Sequence, residues 1–75
     1  MKSKVYKHIT ISEADETHND KLVYIVVNTK KGDPLEYIYY EPSWKQYVLT
    51  TINDIIFSVS CLENIIDFIK NEIKK

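Results

Sequence analysis

Hydrophobic and polar residues alternate along much of the N-terminal two thirds of the chain, with the period of two that is typical of strands buried on one face. In Val5–Ser12 the alternation puts Val5, Ile9 and Ile11 on one side, and we predict a half-buried strand. The next segment, Glu13–Asp20, holds four acidic residues and no large apolar side chain, so we predict an exposed loop there.

Three further strands are predicted after this loop. Leu22–Val27 is apolar and β-branched on both faces, which is typical of a central strand covered on both sides. Thr29–Pro34 contains the only glycine and predicts a hairpin turn, because glycine takes positive φ without steric cost. Leu35–Glu41 alternates again, a Pro-Ser pair ends it, and Trp44–Thr50 resumes the alternation, which predicts a second hairpin.

The C-terminal segment changes to a helical period. Its apolar residues recur at spacings of three and four and form one stripe, which Cys61 and Phe68 widen: Leu62, Ile65, Ile66, Ile69 and Ile73. Ser60 and Glu63 have the spacing of a capping box at the start of this helix, and Ser58 is the alternative cap.

These elements predict an α+β fold in which an antiparallel meander of about four strands packs against one C-terminal helix. We predict that residues 1–75 form a single domain. The pattern decides neither which sheet face carries the helix nor whether Ile55–Phe57 forms a further short strand.

Composition supports a folded chain, because 44% of the residues are hydrophobic and there are only one glycine and two prolines. A chain of 75 residues has a thin margin of stability.

Cys61 is the only cysteine, which excludes an intrachain disulfide and favours a reducing compartment. The basic N-terminal segment is followed by no apolar run long enough for a signal peptide or a membrane span. We therefore expect a cytoplasmic protein that does not associate with membranes.

The charge balance disfavours nucleic acid as a partner. The chain carries ten lysines, no arginine and eleven acidic residues, for a net charge of −1. A net charge near zero steers weakly toward phosphates, and arginine supplies the planar fork that recognises phosphate and guanine.

Residues with reactive side chains are few and scattered. His8 and His18 lack the spacing of metal ligands and are expected on the surface. The acidic segment lacks the glycine and the closing glutamate of a calcium-binding loop. Cys61 is expected to be a small core residue, although a helix start lowers the pKa of a thiol. We therefore expect no catalytic residues, no metal, no cofactor and no enzymatic activity.

Aromatic residues are concentrated in the second predicted hairpin, where five fall within eleven positions: Tyr37, Tyr39, Tyr40, Trp44 and Tyr47. On adjacent antiparallel strands such side chains meet, so they either fill the core beneath the helix or form an exposed platform on the opposite face. The platform would be a contact surface for a protein partner, for self-association or for a stacked base. Its candidate residues are Tyr37, Tyr39, Trp44, Lys45 and Tyr47.

Three segments resemble a family of short, uncharacterised proteins encoded in bacteriophages and prophages of low-GC bacteria. They are Trp44–Val48, the Phe57-Ser58 step, and Ser60–Ile69, which carries a Cys-Leu-x-x-Ile-x-x-Phe-like helix. The resemblance covers about half of the chain. It implies a phage context, in which a small protein inhibits, sequesters or redirects a host component.

Two functional hypotheses follow. The first is a non-enzymatic accessory protein that binds a host protein through the aromatic strand pair. The alternative is a homo-oligomer that sequesters a nucleotide-like small molecule in a pocket between subunits, because a small domain has little concave volume of its own.

Overall fold

A computed structural model of the protein describes residues 3–52 and 58–73. Its five antiparallel strands form one sheet in the order β1-β2-β3-β4-β5. The strands are β1 (Ser3–Val5), β2 (Ile9–His18), β3 (Lys21–Asn28), β4 (Pro34–Glu41) and β5 (Gln46–Thr51), and they are followed by helix α1 (Val59–Phe68) and a π-helical turn (Ile69–Ile73). The predicted α+β meander with a C-terminal helix is confirmed, with five strands instead of about four. Ile55–Phe57 lies outside the described residues.

The prediction of one strand over Val5–Ser12 is wrong, because the chain turns back between β1 and β2. The Tyr6 N–H donates to the Ile9 carbonyl at 2.8 Å, which closes a tight connection. The reversal pairs Val5 with Thr10 and leaves Val5 exposed, whereas Ile9 is buried in the core.

The prediction of a loop over Glu13–Asp20 is also wrong. Strand β2 continues to His18, which pairs with Lys21, so that only Asn19 and Asp20 form the turn. Both turn residues have positive φ, of 54° and 63°, as a two-residue hairpin turn requires. A break in register between Glu13 and Thr17 absorbs the extra residues of β2.

Strand β3 lies at the centre of the sheet, as predicted, but the expectation that it is covered on both sides is wrong, because the helix covers only one face and Ile25 on the other is only partly buried. Val23 and Tyr24 are both buried, although they are adjacent and therefore point to opposite faces. The predicted turn after β3 is also confirmed: Gly32 has φ of +75°, and its N–H donates to the Asn28 carbonyl at 2.7 Å.

The second hairpin is present, but Trp44 is not part of its strand. Glu41 pairs with Gln46, so Trp44 lies in the intervening turn and is 67% exposed. Lys45, also in the turn, has φ of 55°.

Helix α1 begins after Ser58, whose hydroxyl accepts a hydrogen bond from the Cys61 N–H at 3.2 Å. The capping box at Ser60 is therefore wrong, and the alternative cap is the one observed. The buried side of the helix consists of Cys61, Ile65 and Phe68. The buried side of the helix is therefore rotated relative to the predicted stripe. Two residues of that stripe, Leu62 and Ile66, remain 42% and 50% exposed. No helix within the described ranges is long and apolar enough to cross a membrane.

The hydrophobic core lies between this helix and one face of the sheet, which we call the covered face. The sheet contributes five buried residues, namely Ile9, Ile11, Tyr24, Val26 and Ile38. The Tyr24 and Phe68 rings meet edge to face with centroids 5.3 Å apart. At the β1 side, the Tyr6 hydroxyl donates to Asp67 at 2.7 Å and the Lys4 ammonium lies 3.1 Å from the same carboxylate. These contacts join the helix to the N-terminal strand.

One residue of the covered face is not apolar. Glu36 is fully buried, and neither of its carboxylate oxygens has a hydrogen-bond partner within the described structure. Burial raises its pKa from 4.5 to about 7, because a charged carboxylate is poorly solvated there.

Candidate functional site

The face of the sheet opposite the helix has no second layer among the described residues, and we call it the open face. Its residues are paired across the strands, Ser12 with Ile25, Ile25 with Tyr37, Tyr37 with Thr50, and Tyr39 with Val48. Directly paired residues share a face, so these side chains all point away from the helix. Most of them are aromatic or β-branched, unlike the polar residues that usually face water on an antiparallel sheet.

A first hollow of about 410 Å³ lies on the open face. It is lined by residues from β2, β3, β4 and β5, namely Glu16, Thr17, His18, Val23, Tyr37, Tyr39, Glu41 and Thr50. Val23 is only 7% exposed, although α1, the helix that covers the other face, does not lie over it. The His18 ring meets the Tyr39 ring edge-on, with centroids 5.0 Å apart, so aromatic side chains define part of the wall.

A second hollow of about 380 Å³ lies beside the first. It shares Tyr39, Glu41 and Thr50 with the first hollow, and Trp44 and Val48 also line it. The Thr50 hydroxyl donates to the Tyr39 hydroxyl at 3.3 Å and so helps to fix the position of that ring. The two hollows adjoin along these shared residues, and we refer to them together as the groove.

The structure divides the predicted aromatic cluster between the two faces. Tyr37, Tyr39 and Trp44 line the groove on the open face. Tyr47 is separated from them, because it pairs with Tyr40 and packs against the core on the covered face. The Tyr40 and Tyr47 rings meet edge to face, with centroids 5.4 Å apart. Lys45 is exposed in the turn between β4 and β5 and is not among the residues that line the two hollows.

The groove is acidic where its two halves meet. The Ser43 hydroxyl and N–H donate to Oε2 of Glu41 at 2.7 and 3.3 Å, and His18 is the nearby ionisable group. These hydrogen bonds to Ser43 hold the pKa of the Glu41 carboxyl below its usual range, so it is ionised at neutral pH. Glu16 adds a second carboxylate to the first hollow.

Of the groove residues, the sequence indicates only Tyr37, Tyr39 and Trp44, and it misses those that give the groove its charge, among them Glu16, His18 and Glu41. The acidic segment predicts a loop for Glu16 and His18, whereas their place beside Tyr39 depends on the β2–β3 hairpin. The Asn19-Asp20 pair is the signal that could have located this hairpin, because such residues tolerate the positive φ of a two-residue turn.

The described residues contain no group of three or more histidine, cysteine or acidic side chains that could hold a metal ion. Cys61 is a free, buried thiol in the core, as predicted, and both histidines are exposed.

Comparison of the chain with protein-family models, with curated proteins and with solved structures gives no match. The resemblance to phage-encoded proteins stays a prediction.

Proposed function

We propose that this protein acts by binding another protein through the groove of the open face, without catalysing a reaction. The observation that carries the proposal is the character of that face, on which Tyr37, Tyr39 and Trp44 surround two adjoining hollows. Exposed aromatic side chains are enriched at protein interfaces and contribute strongly to affinity there. In the phage context that the sequence resembles, the partner is a host protein whose activity the binding inhibits.

The chemistry of the groove favours a partner segment that presents a lysine or arginine between apolar side chains. Tyr37 and Tyr39 line the first hollow together with the carboxylates of Glu16 and Glu41, and aromatic rings and carboxylates both attract a cation. The apolar neighbours of the cation would pack on Val23 in the first hollow and on Val48 in the second.

The test uses Trp44, the only tryptophan of the chain, as a fluorescent probe in the second hollow. Short peptides with one lysine between apolar residues are titrated into the protein, and the same peptides with glutamate in place of lysine are the charge control. We expect the lysine peptides to shift the Trp44 emission to the blue, because binding removes the exposed indole from water. The glutamate peptides should bind at least about tenfold more weakly.

Adjacent residues of β4 provide a matched pair of variants, because Tyr39 faces the groove and Tyr40 faces the helix side. Tyr39→Ala should raise the dissociation constant at least about tenfold, which is the loss expected for an aromatic residue at the centre of an interface. Tyr40→Ala should bind as the wild type does, provided that circular dichroism shows both variants folded. Equal affinities of the two variants, or no response to any lysine peptide, would contradict the proposal.

A further inference from the structure

We infer that the protein pairs with a second copy of itself through the outer edge of β5, so that two sheets join into one. This interface is distinct from the groove of the open face. Within the described part of the chain, no strand pairs with that edge, since β5 is the last strand in the order of the sheet.

The direction of the backbone groups on β5 follows from its hydrogen bonds to β4. The Ile52 N–H donates to the Leu35 carbonyl at 3.0 Å, just beyond the end of the strand. Since backbone groups alternate along an antiparallel strand, Val48 and Thr50 bond to β4. The N–H and carbonyl groups of Tyr47, Leu49 and Thr51 therefore point outward, and no strand of the described residues pairs with them.

The two edges of the sheet differ in their protection against such pairing. Strand β1 has only three residues, and its Lys4 is engaged by Asp67 and Glu72. Strand β5 has six residues, without a proline, a lysine, an acidic residue or a bulge. Short strands, charges, prolines and bulges are the features that keep edge strands from associating. The β5 edge lacks all of them.

A second copy suits this edge because β5 carries no charge that would repel its counterpart. Gln46–Thr51 contains no residue that is charged at neutral pH, so pairing these strands brings no like charges of β5 together. Lys70 lines the hollow beside this edge but lies outside the paired strands. The net charge of −1 adds little long-range repulsion between two copies. An antiparallel pairing centred on Leu49 joins Leu49 to its counterpart and Tyr47 to Thr51 of the other copy. It uses all three outward-facing residues and forms about six backbone hydrogen bonds.

The helix offers independent support, because its exposed apolar side faces the same edge. Ile66 lines a hollow of about 150 Å³ together with Gln46 and Tyr47, so that flank of the helix is turned toward β5. Leu62, one turn earlier, is also exposed on the helix. In the paired form, both helices lie on one side of the joined sheet with these flanks facing each other. Tyr47 and Leu49 of both copies lie between them.

The first test is the mass in solution, measured by sedimentation at micromolar concentration. We expect twice the chain mass of 8.9 kDa. Thr51→Pro removes an outward N–H while leaving the bonds to β4, and it should raise the dimer dissociation constant at least about tenfold. Thr51→Ala keeps the N–H and is the matched control. A wild-type monomer, or equal dissociation constants for the two variants, would overturn the inference.

Cysteine cross-linking in a Cys61→Ala background tests the register. The axis at Leu49 places the two Leu49→Cys residues about 5.5 Å apart between Cα atoms, within the range of a disulfide. In the same register, Val48 lies roughly 7–8 Å from its counterpart, beyond easy bridging. Leu49→Cys should therefore form covalent dimers under oxidation at least about tenfold faster than Val48→Cys. Preferential cross-linking of Val48→Cys would exclude the Leu49-centred pairing.

Discussion

The covered and open faces belong to the same five strands, yet they differ in how their apolar side chains are used. On the covered face, Ile11, Val26 and Ile38 are fully buried under the helix. On the open face, Ile25, Tyr37 and Val48 are only partly buried, because no described residue forms a layer above them. The covered face holds the fold together, and the open face keeps apolar and aromatic surface available for a partner. In so small a chain, residues that do not stabilise the core are the ones left for binding.

The two faces also differ in how they hold a carboxylate. Glu41 on the open face accepts two hydrogen bonds from Ser43, which lower its pKa. Glu36 on the covered face has no partner among the described residues, and burial raises its pKa to about 7. One carboxylate is therefore stabilised as an anion and the other is not.

The largest expected effect concerns Glu36. The unfolded carboxyl ionises near its ordinary pKa of 4.5 and the folded one near 7, so unfolding releases a proton between these values. The contribution of Glu36 to the free energy of unfolding is therefore fully present below pH 4.5 and is lost as the pH rises to about 7. The shift corresponds to about 3 kcal/mol of unfolding free energy. Urea unfolding from about pH 4 to about pH 8 should show this decline in the wild type and not in Glu36→Gln.

The matched control is Glu41→Gln, for which the sign is opposite. The lowered pKa of Glu41 gives a contribution that is present above the ordinary pKa and lost as the pH falls through the folded one. Glu41→Gln should therefore lower the unfolding free energy by a constant amount above the ordinary pKa and leave the decline between pH 4.5 and 7, which Glu36 controls, unchanged in slope. A wild-type curve that stays flat over that interval would contradict the account of Glu36.

A smaller effect is expected at the start of the helix that closes the covered face. Ser58→Ala removes the acceptor for the Cys61 N–H and should lower the unfolding free energy by about 1 kcal/mol. Ser60→Ala, on the neighbouring serine that the sequence favoured as the cap, should cost at most about half as much. Thermal unfolding of the two variants compares them directly, and a larger loss at Ser60 would show that the helix begins later.

The sequence predicted the covered face better than the open one. Alternation in Leu35–Glu41 and the period of the helix depend on local patterns, so the meander, the central strand and the C-terminal helix could all be predicted. The buried stripe of the helix is rotated by about one residue from the predicted stripe. Cys61 and Phe68 pack against the sheet, whereas Leu62 and Ile66 remain exposed. The burial of Glu36 could not be predicted, since a glutamate in an alternating strand is normally expected to face water.

The groove depends on contacts between residues that are distant in the sequence. His18 meets Tyr39 only because β2 continues through an acidic segment that looks like a loop. Tyr37, Tyr39 and Trp44 were predicted as contact residues, and the structure places them together. Tyr47 is predicted with them, but it pairs with Tyr40, and its side chain therefore lies on the covered face.

The most direct test of separate roles for the two faces uses variants of two adjacent residues of β4. The stability and the peptide affinity of each variant are measured. Ile38→Val should lower the unfolding free energy by about 0.5–1.5 kcal/mol and leave the affinity for the lysine peptides unchanged. Tyr39→Ala should weaken peptide binding at least about tenfold and lower the unfolding free energy by no more than about 1 kcal/mol. If Tyr39→Ala unfolds the protein, or if Ile38→Val weakens binding as much as Tyr39→Ala does, the two faces do not have separate roles.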